Sequence, residues 1–133
     1  MNNLQVISLH LQEFKSKVIT MEGIAWVRLR TYNGIPFQYR RIENESCQIE
    51  YGSLPFRATI AQEFFQEMLR HFKGKTLLLG AVFDDPPPHS LGAWLVERLP
   101  GPNLAIYVGT ILVHEEYADW GKGKEGVCLH FKR

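Results

Sequence analysis

A glycine-rich stretch near the C-terminus, WGKGKEG at 120–126, constrains the fold more than any other segment. Its three glycines have the G-x-G-x-x-G spacing of a dinucleotide-binding loop. Such a loop needs a helix after it, because the helix N-terminus and the backbone N–H groups bind the pyrophosphate. Here VCLHFKR at 127–133 follows, and its apolar residues alternate with other types, which is typical of a strand. We therefore expect a turn between two strands and no bound cofactor.

The clearest helix is predicted over residues 59–73. Six large apolar side chains recur there at spacings of three and four, and polar residues occupy the other side. Thr59 followed by Gln62 matches the capping-box pattern at a helix start. Gly74 stands where a helix of this length ends. A helix with one apolar face must pack on another element, and one side of the predicted meander is a candidate.

Three short alternating segments before that helix predict an antiparallel meander. They lie at 24–30, 37–43 and 47–52, and an Asn-Gly turn signal separates the first two. The spacing of apolar residues at the very start predicts a helix over 3–19, with a short strand at 4–11 as the alternative.

The remaining segments alternate between strand and helix patterns. The apolar run at 75–83 predicts a buried strand, Ser90 caps a short helix that Pro100 ends, and Asn103 caps a helix over 104–116. The expected fold class is α+β: an N-terminal helix and a small antiparallel meander, then an αβααββ half. We expect residues 1–57 and 58–133 to pack as one unit.

From residue 58 onward this order resembles the winged-helix family, a variant of the helix-turn-helix fold. The segment TILVHEEYADWGKGKEGVCLHF at 110–131 is similar to the end of a third helix, a wing and its two strands. The resemblance covers about the last seventy-five residues. It implies nucleic-acid contacts from the third helix and the wing. In this chain those residues are Asn103, Tyr107, Thr110, Lys122 and Lys124.

The distribution of charge limits how strongly such a protein binds nucleic acid. The formal net charge is +1, which argues against a broad coat of cations. No Lys or Arg occurs between Arg98 and Lys122, and Glu115 and Glu116 would repel phosphates. Lys132 and Arg133 at the C-terminus add positive charge. The sequence therefore predicts weak, salt-sensitive binding at most.

The densest mixture of basic and aromatic residues lies in the predicted meander. Because alternate residues of a strand share a face, Arg28 and Arg30 lie on the same side as Trp26. Such a face can stack bases and neutralise the phosphates of a single strand. The alternative is an ordinary solvated face of the sheet. Nearby members of the mixture are Tyr32, Phe37, Tyr39, Arg40 and Arg41.

Two further classes of function stay open. The first is a protein-interaction or homodimer module that uses the apolar third helix, with Leu104, Ile106, Tyr107 and Val113 exposed. The second is a metal-dependent enzyme at Asp84 and Asp85. Asp followed by Pro is common turn chemistry, and no two histidines have a metal-binding spacing. We therefore predict neither an enzyme nor a metal site.

The two cysteines and the N-terminus indicate a compartment. Cys47 and Cys128 form no paired motif, which favours two reduced thiols over a disulfide framework. The first residues lack the pattern of a secretory signal, and no apolar run is long enough to cross a membrane. These features predict a soluble, cytoplasmic protein without membrane contact.

Overall fold

A four-stranded antiparallel meander begins the part of the chain that the structure describes. The computed structural model describes residues 24–133, so the helix predicted over 3–19 lies outside the described residues. The strands follow one another in the order β1-β2-β3-β4. Gly34, with φ of +89°, forms the tight turn that the Asn-Gly pair predicts. The strands are β1 Val27–Arg30, β2 Pro36–Ile42, β3 Ser46–Tyr51 and β4 Phe56–Ala61.

The fourth strand corrects the predicted start of the first helix. Residues 56–61 pair with β3 in antiparallel register, and Thr59 lies opposite Gln48. Helix α1 spans Gln62–Phe72, and no side chain caps its first turn. The capping-box prediction at Thr59 and Gln62 is therefore wrong. The alternation in FRATIA was compatible with a strand, and pairing with β3 outweighs the local capping preference.

The second half has the predicted αβααββ order. It contains three helices and three strands, and the sheet order is β5-β7-β6 with antiparallel pairs. Because every strand pairing in the two sheets is antiparallel, the fold of residues 24–133 is α+β. After α1 come β5 Thr76–Leu78, α2 Leu91–Arg98, α3 Ala105–His114, β6 Ala118–Gly123 and β7 Gly126–Phe131.

The apolar run at 75–83 forms a much shorter strand than predicted. The strand covers residues 76–78, backbone hydrogen bonds join Lys75 and Leu79 at its two ends to β7, and Gly80 then turns the chain with φ of +65°. The turn brings the chain against the start of α2, where the Gly92 N–H donates to the Leu79 carbonyl over 2.9 Å. Ser90 accepts from the Ala93 N–H at 3.0 Å, as the sequence predicts for a helix cap.

Helix α3 lies between the two sheets. On one side, the Tyr107 ring contacts Phe37 of β2 and Tyr51 of β3, with centroids 5.0 and 4.7 Å apart. On the other side, a Cβ added at Gly109 would lie 2.8 Å from Leu79 and 3.4 Å from Leu129 and Trp120. A helix that is apolar all round is a buried helix. One apolar core thus includes residues of both halves.

The described helices are short. None of those within residues 24–133 has the length and apolar character that a bilayer-spanning helix needs. The predicted boundary between residues 57 and 58 falls inside β4. The four-stranded sheet therefore contains residues from both sides of that boundary.

Candidate nucleic-acid interface

The outward face of the four-stranded sheet carries most of its positive charge. Alternate residues of a strand face opposite sides of the sheet. Phe37, Tyr39, Ile49 and Ile60 are buried, and their neighbours along each strand face outward. We call this outward surface the arginine face. It consists of Trp26, which precedes β1, and the side chains of Arg28, Arg30, Arg40 and Arg57.

Cross-strand hydrogen bonds hold the arginine face in position. Arg57 Nε donates to Glu50 at 3.1 Å, and Gln38 donates to the same carboxylate at 2.8 Å. These hydrogen bonds hold the pKa of the Glu50 carboxyl below its usual value. The guanidinium groups of Arg40 and Arg57 lie 4.3 and 5.3 Å from the centre of the Trp26 ring. Glu50 offsets one of four arginine charges, so this face stays positive.

An aromatic contact joins the β1–β2 turn to the β6–β7 hairpin. Tyr32, in the turn after β1, lies against Trp120 of β6 with ring centroids 5.5 Å apart. Tyr32 is 49% exposed, so part of its ring is open to a ligand. Arg30 lies two residues before Tyr32, and Lys122 lies two residues after Trp120 on the same side of its strand. One cation thus lies close in sequence to each member of the Tyr32–Trp120 pair.

An open groove lies beside the two exposed arginines of β1. It has a volume of about 500 Å³ and is lined by Arg28, Arg30, Gln38, Tyr51 and their neighbours. Arg30 also donates to the Gly34 carbonyl at 2.9 Å, which orients its guanidinium group at this end of the sheet. The volume lies within the range of ligand-binding clefts.

The three residues predicted on a nucleic-acid-reading helix are engaged within the protein. Asn103 Nδ2 donates to the carbonyls of Gly80 and Val82, both at 2.9 Å. Thr110 is 7% exposed, and its hydroxyl donates to the Ile106 carbonyl at 2.8 Å. Tyr107 is packed on the four-stranded sheet. All three side chains are thus engaged in contacts within the protein, and the four-stranded sheet covers the helix at Tyr107.

The predicted basic residues at the C-terminal end are all exposed. Lys122 and Lys124 lie at the tip of the β6–β7 hairpin. Lys132 Nζ is 4.0 Å from a carboxylate oxygen of Asp119, a surface pair. The Arg133 side chain lies against Gly74, 3.4 Å from where a Cβ would stand. Of the four, the two hairpin lysines are the ones close in sequence to the aromatic contact.

Arg41 has a different role from the neighbouring arginines. Its side chain faces inward and binds Glu115 at the end of α3, with Nε 2.9 Å from Oε2. The Tyr39 hydroxyl donates to the same carboxylate at 2.7 Å. Burial raises the pKa of Glu115, but the hydrogen bonds from Arg41 and Tyr39 outweigh burial and lower it below its usual value. Glu115 is therefore neutralised inside the fold and is not a free repelling charge.

The loop with the two aspartates shows no sign of a metal centre. Asp84 and Asp85 are both exposed, and Asp85 adopts a left-handed φ of +49° that suits an Asp in a turn. Among residues 24–133, no three His, Cys, Asp or Glu side chains are grouped as metal ligands.

Sequence reasoning missed one member of the arginine face. Arg57 stands between the predicted meander and the predicted helix in the sequence, and the structure places it on β4 opposite Glu50. The polar and apolar alternation of FRATIA was the signal that would have revealed it. The contact between Tyr32 and Trp120 has no local signal, because 88 positions separate the two residues in the chain.

Comparison with known proteins assigns no family to this architecture. No family model matches the sequence, and neither the curated proteins nor the solved structures gave a significant match.

Proposed function

We propose that this protein binds single-stranded nucleic acid along a path that starts on the arginine face. The path crosses the Tyr32–Trp120 contact and ends at Lys122 and Lys124 on the hairpin. Proteins that bind single strands combine a positively charged groove with aromatic rings on which bases stack. Both features occur here, in the groove lined by Arg28 and Arg30 and in the partly exposed Tyr32 ring.

The observation that carries the proposal is the contact between Tyr32 and Trp120, with centroids 5.5 Å apart. Without it, the arginines of β1 and the lysines of the hairpin would be two unrelated patches. With it, the partly exposed Tyr32 joins the turn that follows Arg30 to the strand that carries Lys122. A nucleotide stacked there would have cations on either side for its flanking phosphates. The adjoining groove of about 500 Å³ supports the same path.

Only the hairpin of the winged-helix resemblance supports this proposal, and the third helix does not. We infer that residues 62–131 form a winged-helix-like unit, since their element order is αβααββ and a hairpin ends it. Helix α3, however, is enclosed by two sheets and lacks basic side chains other than His114. Major-groove reading needs an exposed helix with Arg, Lys, Asn or Gln. The proposal therefore assigns binding to the hairpin and the arginine face, not to α3.

Fluorescence anisotropy with a labelled oligothymidine of about twenty nucleotides tests the proposal. We expect saturable binding at about 20 mM salt that weakens steadily as salt is raised, because binding releases counterions. Arg30→Gln should lower affinity and reduce the salt slope by about one. Tyr32→Ala should weaken binding about fivefold or more through lost stacking. Arg70→Gln, which removes an exposed arginine on α1, is the matched control.

The outcomes separate specific from unspecific attraction. Absence of binding at low salt contradicts the proposal, and so does an affinity that salt leaves unchanged. If Arg70→Gln weakens binding as much as Arg30→Gln, net charge and not this path is responsible. Duplex of the same sequence should bind less tightly, because its bases are not free to stack.

A protein partner is the second candidate function, favoured by the loop after β5. The Phe83 side chain is 86% exposed, next to Val82 at 46%. Exposed neighbouring apolar side chains of this size mark interaction surfaces. On the third helix Leu104 is buried and Tyr107 is packed on the sheet, so the proposal of a protein partner uses the loop after β5 instead. Sedimentation velocity of the protein and of Phe83→Ser tests self-association; a monomer throughout rejects the homodimer.

A further inference from the structure

A second cavity lies between the end of α1, strand β5 and helix α2. Its volume is about 550 Å³, and the elements that line it are not those of the nucleic-acid path. The polar groups on its wall are mostly cationic or imidazole side chains. They belong to His71, Lys75, His89 and Arg98, with Glu97 as the carboxylate.

Two of these groups have no side-chain partner in the part of the chain that the structure describes. Arg98 is paired with Glu97 over 3.2 Å and lies 4.4 Å from the centre of the Trp94 ring. Within residues 24–133, by contrast, neither the Lys75 ammonium nor the His89 imidazole has a side-chain partner. A cation at a concave surface without a counter-charge attracts anions.

The cavity wall also holds its groups in defined positions. His71 stacks on Trp94 with ring centroids 5.7 Å apart and planes inclined by 23°. His89 has a left-handed φ of +66°, a conformation that is unfavourable for residues other than glycine by about 1–2 kcal/mol. The following residue anchors it, because the Ser90 hydroxyl donates to the Pro87 carbonyl at 2.7 Å and caps α2. Strained residues of this kind concentrate at functional sites.

We infer that this cavity binds a small organic molecule through a phosphate monoester group. A phosphate monoester has three terminal oxygens and a charge of about −1.5 to −2 at pH 7. Lys75, Arg98 and the two imidazoles supply more donors than the two oxygens of a carboxylate accept. The apolar walls at Leu77, Pro88 and Trp94 suit the organic part of the ligand. None of these residues belongs to the nucleic-acid path, so the two proposals stand separately.

Titration with phenyl phosphate, followed by two-dimensional NMR of the ¹⁵N-labelled protein, tests the inference. The Trp94 indole N–H is a specific reporter, because it is buried in the cavity wall and has no acceptor among the described residues. We expect a saturable shift of this signal. Lys75→Gln should weaken binding about tenfold or more, the effect of one charged hydrogen bond. Lys73→Gln removes an exposed lysine outside the cavity and is the control.

Three results would overturn the inference. They are an unsaturated or absent shift at about 10 mM phenyl phosphate, equal effects of the Lys75 and Lys73 substitutions, or benzoate binding as tightly as phenyl phosphate. Because Lys75 is exposed, its variant should keep the dispersed spectrum of the folded protein, which confirms that binding and not folding changes. Arg30→Gln should leave phenyl phosphate affinity unchanged, so failure of this inference is distinguishable from failure of the proposed nucleic-acid binding.

Discussion

Replacing Glu115 by alanine should remove the ionic connection between the first sheet and helix α3. Its carboxylate accepts from Arg41 Nη2 at 2.6 Å, from Arg41 Nε at 2.9 Å and from the Tyr39 hydroxyl at 2.7 Å. Both arginine and tyrosine belong to β2, whereas Glu115 directly follows α3. The substitution leaves a guanidinium and a hydroxyl without their acceptor in a partly dry site.

The burial of the pair determines the size of the effect. Removing one partner of a fully buried ion pair is destabilising by about 3–5 kcal/mol. The Arg41 and Glu115 side chains are 28% and 19% exposed, so water reaches them in part. We therefore expect Glu115→Ala to lower the free energy of unfolding by about 2–3 kcal/mol. Glu115→Gln keeps an acceptor oxygen and should lose about half as much.

Urea unfolding followed by circular dichroism measures the effect. A loss of this size should lower the midpoint by about 1–2 M urea. Asp119→Ala is the matched control, because its pair with Lys132 spans 4.0 Å and both side chains are largely exposed. That control should change stability by about 0–0.5 kcal/mol. A double-mutant cycle of Glu115→Ala with Arg41→Met isolates the coupling between the two side chains.

The proposed ionic connection is refuted if Glu115→Ala unfolds at the same urea concentration as Asp119→Ala. It is also refuted if the cycle shows no coupling between residues 41 and 115. In either case the contact between β2 and α3 would rest on apolar packing alone.

Three further predictions concern other parts of the fold. Folding lowers the pKa of the Glu115 carboxyl. The contribution of Glu115 to stability is therefore complete above about pH 4.3 and is lost as pH falls through its folded pKa. Acid unfolding curves of Glu115→Gln should lack this part of the pH dependence. Gly92→Ala would place a Cβ 2.0 Å from the Gly80 carbonyl oxygen. We therefore expect the free energy of unfolding, measured in urea, to fall by about 1–3 kcal/mol. Unchanged stability would show that α2 does not lie against Gly80. Burial raises the pKa of the Cys47 thiol to about 12, whereas the Cys128 side chain is only half-buried. A thiol reagent should therefore modify Cys128 first. Equal modification rates for the two thiols would contradict the buried position of Cys47.

Local patterns in the sequence were enough to predict most elements of the described chain. The alternation in β1, β2, β3 and β7, the Ser90 cap and the glycine hairpin all depend on residues close together in the chain. Such signals depend on period and turn chemistry, which neighbouring side chains decide. The αβααββ order followed from them directly. The exposed positions of Arg28, Arg30, Lys122 and Lys124 also followed from strand alternation and turn position.

The tertiary structure decided which surfaces are open. A helix apolar on all sides, such as α3, is compatible with a dimer interface or with burial between two sheets, and only the position of the meander distinguishes them. In the same way, Arg41 pairs with Glu115 while Arg40 lies outside, because the sheet has its inner face on α3. The segment at 56–61 became a strand because β3 offers it a ladder of hydrogen bonds. Each of these outcomes depends on contacts between residues distant in sequence, which no local pattern encodes, whereas the period of each segment determined its own helix or strand.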